Sequence, residues 1–66
     1  MTEQDVQKAM QEAMAAETDN ALPTGRCRID AGGVTSCTGG MTQRSCYQVA
    51  TNVGGVADWA EGASCP

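Results

Sequence analysis

Histidine and phenylalanine are absent from this 66-residue chain, and leucine, isoleucine, tyrosine and tryptophan each occur once. Without an imidazole the chain has no side chain whose ordinary pKa lies near neutrality, and with no convincing carboxylate pair either, general acid and base catalysis has no candidate. The shortage of large apolar side chains limits the core just as severely. A domain near this size buries only about 60% of its unfolded-chain surface. Much of the apolar fraction is alanine, so burial alone gives little stability. Also missing is any apolar run long enough to span a bilayer. Four basic residues against eight acidic ones leave a formal net charge of −4. Such scattered arginines form no footprint for nucleic acid and no polybasic membrane anchor.

Four cysteines, Cys27, Cys37, Cys46 and Cys65, are what the chain has instead. An even count in a small scaffold with a poor core points to structural disulfides, and hence to an oxidising, extracellular destination. These 66 residues contain no basic stretch followed by an apolar run, so a classical secretory signal peptide is not expected within them. The expectation is export by another kind of leader, or a mature fragment. The spacing C-x9-C-x8-C-x18-C has no C-x2-C knuckle. With no histidine beside it, a zinc site is not expected, and redox exchange lacks both a C-x-x-C motif and a visible device for acidifying a thiol. The Asp30-Ala-Gly-Gly stretch is not an EF-hand loop, and no glycine run ends as a P-loop does. No enzyme activity, metal or cofactor is expected.

Charge divides the chain in two. Glu3, Asp5, Glu12, Glu17 and Asp19 stand against Lys8 alone in the first twenty residues, whereas Arg26, Arg28 and Arg44 balance Asp30, Asp58 and Glu61 beyond them. Residues 1–18 read as an acidic amphipathic helix. Thr2 and Asp5 have the spacing of a capping box, and Val6, Ala9, Met10, Ala13 and Met14 recur at three- and four-residue intervals. Two roles fit that stripe: packing on the rest of the domain, or docking into a groove of another protein with Val6, Met10 and Met14 as anchors. Residues 19–26 read as a linker, because Asp19, Asn20, Pro23 and Gly25 all break helices.

Residues 27–66 read as a compact cysteine-rich domain. The segment from Cys27 to Cys37 has the pattern of a hairpin; a three-residue loop at Ala31-Gly32-Gly33 would set Cys27 opposite Cys37. That register favours Cys27–Cys37 and Cys46–Cys65 bridges, with a crossed arrangement of Cys37 to Cys46 or Cys65 as the competitor. Thr38 to Arg44 reads as an exposed loop. Ser45 and Gln48 have capping-box spacing before Cys46, Val49, Ala50 and Val53, which predicts a helix over 46–53 ending at Gly54. A further short helix or turn is expected between Gly55 and Gly62, with Trp59 at the centre of the core. The expected fold class is thus small, disulfide-stabilised α+β: an N-terminal amphipathic helix, a short β-hairpin and one or two short helices.

Three cysteines directly follow a hydroxyl residue, as Ser36-Cys37, Ser45-Cys46 and Ser64-Cys65, with Thr35, Thr38, Thr42 and Thr51 nearby. With its acidic helix, breakable joint and Gly-, Ser-, Thr- and Cys-rich remainder, the chain resembles a ribosomally synthesised, post-translationally modified peptide precursor. The resemblance implies that residues 1 to about 25 act as a leader, read by a modifying enzyme or transporter and removed, releasing a bacteriocin-like or metallophore-like product. Gly32-Gly33 departs from a double-glycine cut, since Cys27 would stay on the leader side. The alternative expectation is a small extracellular binding or inhibitor module that keeps its helix packed and meets a partner protein through the 38–44 loop. In either case each bridge would contribute on the order of 3 kcal/mol by restricting the unfolded chain. Complete reduction of both bridges is therefore expected to collapse amide dispersion and far-ultraviolet circular dichroism; unchanged spectra would show that the cysteines are dispensable to the fold.

Overall fold

The computed structural model describes residues 2–66. Helix α1 spans Glu3–Ala16, strand β1 Thr24–Ala31, strand β2 Val34–Thr42, helix α2 Gln43–Val53 and strand β3 Val56–Glu61. The three strands form one antiparallel sheet in the order β2-β1-β3. Two disulfides, Cys27–Cys46 and Cys37–Cys65, close this small α+β fold.

Helix α1 begins as its sequence dictates. The Thr2 hydroxyl accepts from the Asp5 amide, and the Asp5 carboxylate accepts in return from the Thr2 amide and hydroxyl. Those bonds hold the Asp5 carboxyl below its ordinary range, the backbone bond being the larger cause. Two orphan donors of the first turn are thereby satisfied.

The hairpin departs from expectation by one residue. Only Gly32 and Gly33 form the loop, both at positive φ (58° and 82°), and Ala31 pairs with Val34. Two-residue loops with both central residues left-handed match the natural twist of paired strands, and glycine reaches that conformation without steric cost. The shorter loop sets Cys27 opposite Thr38 and Cys37 opposite Arg28. Because side chains alternate between faces, this slip turns Cys27 inward and Cys37 outward. The expected Cys27–Cys37 and Cys46–Cys65 pairing is therefore overturned, and the crossed competitor is present in its Cys37–Cys65 form, which leaves Cys27 to pair with Cys46.

Three other local expectations are corrected. Thr38 to Arg44 is not a loop: it comprises the end of β2 and the first residues of α2. Helix α2 is capped one turn earlier, with the Thr42 hydroxyl accepting from the Ser45 amide at 3.2 Å. The 55–62 segment is strand β3 rather than helix. Pairing with β1 decides this, from Gly25 opposite Glu61 to Asp30 opposite Val56. Glycine at position 25 permits that pairing, since a β-carbon there would run into the Ala60 carbonyl. Three- and four-residue spacing in so short a segment could not outweigh a ladder of backbone hydrogen bonds.

The core lies between the sheet and the two helices. Val6 and Met10 of α1, Cys27, Ile29 and Ala31 of β1, Met41 of β2, and Cys46, Val49 and Ala50 of α2 are buried together. Trp59 packs at the margin of this cluster instead of at its centre, and Val56 is 72% exposed. Helix α1 is also stitched to β2. Gln7 donates to the Cys37 carbonyl and accepts from the Thr38 hydroxyl, both at 3.1 Å, while the Thr38 hydroxyl lies 3.6 Å from the Met10 sulfur. The outer face of the sheet carries Arg28, Asp30, Thr35 and Asp58, and the Thr35 hydroxyl donates to the Asp30 carboxylate.

Burying a side chain of this kind contributes about 1.5–3 kcal/mol. Met10→Ala adds a cavity to that loss and is expected to cost about 2–5 kcal/mol, enough to populate the unfolded chain at ambient temperature if the core supplies only about 3–5 kcal/mol. Thermal or urea denaturation followed by circular dichroism checks this, and a change within about 0.5 kcal/mol would mean that α1 does not share the core.

Candidate functional site

Glu17 follows α1 directly and turns its carboxylate toward the start of α2. The Asp19 amide donates to it at 3.1 Å, the Thr42 and Ser45 hydroxyls at 3.0 Å each, and the Arg44 guanidinium at 2.8 Å. An anion is favoured there in any case, because helix N-termini carry unpaired amides and partial positive charge. The Asp19 amide is the largest cause, with the hydroxyls and Arg44 assisting against partial burial. Together they pull the Glu17 carboxyl down to about 2 from its ordinary 4.5. The single side chain thus joins the two helices and orders the turn between α1 and β1. The Asp19 carboxylate extends that order by accepting from the Ala21 amide at 3.0 Å.

Two clefts flank this junction and meet at Leu22 and Thr42. One, of about 190 Å³, lies between Met14, Glu17, Leu22 and Met41. Its neighbour, of about 250 Å³, is walled by Leu22, Pro23, Gln43, Arg44, Trp59 and Glu61. The Trp59 ring is held in place where its indole N–H donates to the Met41 carbonyl at 2.9 Å. Arg44 keeps 66% of its side chain exposed while paired to Glu17. A fixed aromatic face, a proline ring and an exposed guanidinium therefore line one concave surface. Tryptophan and arginine are the residue types that most often anchor protein interfaces.

Of the residues read as anchors from sequence, Val6 and Met10 are fully buried in the chain's own core, and Met14 is half-buried at the edge of the first cleft. All four cysteines are joined in bridges. Cys27 and Cys46 are inaccessible, whereas Cys37 and Cys65 are half-buried. Within 38–44 the exposed residues are Gly40, Gln43 and Arg44, and the last two belong to the Trp59 cleft. The linker reading ends where β1 begins, at Thr24, and Leu22 and Pro23 contribute to both the turn and the cleft. Sequence reading missed Glu17 altogether, since its partners at Thr42, Arg44 and Ser45 lie more than twenty residues away. No family model, curated protein or solved structure matches the chain.

The lowered Glu17 pKa fixes the sign of a pH effect. A carboxylate whose folded pKa lies below its unfolded value stabilises the fold at pH values above the unfolded pKa, and that contribution fades as the pH falls toward the folded value. Glu17→Gln is expected to lower the melting temperature at neutral pH, and the gap from the parent protein should narrow between about pH 4.5 and about pH 2. A gap that stayed constant through acid would show that the charge on Glu17 is immaterial.

Proposed function

We propose that this protein is a small extracellular binding or inhibitor module, stapled by its two disulfides, that engages a partner protein through the Leu22, Pro23, Arg44 and Trp59 cleft. The observation that carries this reading is the complete burial of Val6 and Met10 in the same core as the Cys27–Cys46 bridge. A helix with those contacts is part of the folded body, so the unit that acts is the whole chain. A removable leader would take Val6 and Met10 with it and open the side of the core nearest β2. Bridges of this kind suit an oxidising environment, where they form and persist.

The mechanism is preorganisation. Ordering a loop or a rotamer-rich side chain on binding costs about 0.5–1.5 kcal/mol per group. Here the turn carrying Leu22 and Pro23 is held by Glu17 and Asp19, and the Trp59 ring by Met41. A partner segment presenting an apolar side chain to the Trp59 and Pro23 wall, with a carboxylate for the free edge of Arg44, meets these charge and shape requirements. Buried apolar contact would supply most of the affinity, and the arginine would orient the segment.

Two measurements separate this reading from a precursor whose first segment is discarded. The native product is expected to retain residues 2–18 and to weigh less than the thiol form by the two hydrogens of each bridge. A chain beginning at residue 19 is expected to lose amide dispersion. Recovery of a dehydrated or leaderless product, together with a folded truncated chain, would overturn the module and support the precursor.

A further inference from the structure

The two bridges occupy opposite faces of the sheet and have different chemical surroundings. Cys27–Cys46 sits in the core with both residues fully buried. Cys37–Cys65 lies on the outer face, half-buried, and Cys65 is flanked by exposed Ser64 and Pro66. Beyond Ala63, whose amide donates to the Ala60 carbonyl, no backbone hydrogen bond ties the segment to the body among the described residues. A cleft of about 230 Å³ opens beside the bridge, lined by Arg26, Arg28, Thr35, Cys37 and Pro66.

Arg28 stands directly opposite Cys37 in the β1–β2 register. Side chains in that relation have β-carbons about 4.5–5.5 Å apart. Asp58 faces Arg28 from β3, yet among the described residues the one ion pair is Arg44 with Glu17. Arg26, on the same face, keeps its Nε buried without a hydrogen-bond partner among the described residues. Neighbouring guanidinium groups stabilise a thiolate, and a more acidic thiol leaves faster in disulfide exchange. Sequence reading found no acidifying device for a thiol; strand pairing supplies one.

We propose that Cys37–Cys65 is a thiol-exchange site, opened by an incoming dithiol while Cys27–Cys46 stays closed. One thiolate of the dithiol attacks the Cys65 sulfur, a new sulfur–sulfur bond forms there, and the Cys37–Cys65 bond breaks. Cys37 departs with the electron pair as a thiolate beside Arg28 and Arg26. The second thiol of the dithiol, once deprotonated, attacks its own sulfur in the mixed disulfide and expels Cys65, which takes up a proton. The dithiol is oxidised to its cyclic disulfide and the protein gains two thiols. Residues 64–66 are then free to leave the sheet, uncovering the arginine cleft.

Graded dithiothreitol, followed by alkylation and peptide mapping of the full chain, tests this. The first alkylated pair is expected to be Cys37 and Cys65, in a species that keeps its amide dispersion and its Cys27–Cys46 bridge. Alkylation of Cys27 and Cys46 first, or of all four cysteines in one step, would overturn the proposal. Arg28→Gln is expected to slow the first opening several-fold, because the departing Cys37 thiolate loses a neighbouring cation and a less acidic thiol leaves more slowly. Arg28→Lys, which keeps the charge, should restore most of that rate. Position 28 is exposed, so both variants should fold, and circular dichroism checks that they do. Equal rates in the parent and Arg28→Gln would remove the assigned role of the arginine.

Discussion

A turn of two glycines governs the architecture. Gly32 and Gly33 close the hairpin with left-handed backbone at both positions, and this sets the register of β1 and β2 as far as Cys27 and Thr38, beyond which a bulge before Gly25 shifts it. In that register Cys27 points into the core and Cys37 away from it. One more residue in the loop would have placed the two cysteines face to face and joined strand to strand. With the shorter loop, each cysteine must find its partner on another element. Cys27 meets Cys46 in the first half of α2 and fastens that helix to the central strand, while Cys37 catches Cys65 and fastens the end of the chain to the outer face. The crosslinks therefore tie different layers together, and they close longer loops than a hairpin bridge would. Longer loops remove more entropy from the unfolded chain.

Helix α1 completes what the bridges leave open. The sheet and α2 do not contain enough large side chains to close the core, and Val6 and Met10 fill the gap nearest β2. Gln7 then satisfies polar groups along the outer strand with its amide. Glu17, one residue past the helix, does the same for the start of α2. An acidic segment that looks like a separate module by charge is thus bound to the body by apolar burial and the Gln7 amide in its middle and by the Glu17 carboxylate past its end. Charge asymmetry reports which residues meet water. It carries no information on which elements pack together.

Element existence was legible wherever a local rule sufficed. The capping box at Thr2 and Asp5, the periodicity of α1, the hairpin and the body of α2 all rest on residues within a few positions of one another. Errors arose where a distant partner decided. Val56 to Glu61 matches a helical spacing in isolation, but β1 offers its free edge, and Gly25 leaves room for the approach. Thr42 outcompetes Ser45 as the cap because β2 runs straight into α2 without an intervening loop. Glu17 had no local signal, since its hydroxyl and guanidinium partners come from the other end of β2 and beyond. The Trp59 cleft was hidden for the same reason: its walls are drawn from the 17–24 turn, the first turn of α2 and the edge of β3.

Composition determined that this chain must be stapled, that its cysteines would be consumed in pairs, and that an acidic helix would stand at its start. These follow from counts and short spacings, which do not change on folding. Tertiary structure decided which sulfur meets which, whether the helix belongs to the body, and where arginine, tryptophan and proline gather into clefts. The deciding physical quantity was strand register, in which a single residue exchanges the two faces of a sheet, and no rule of local spacing resolves a shift that small.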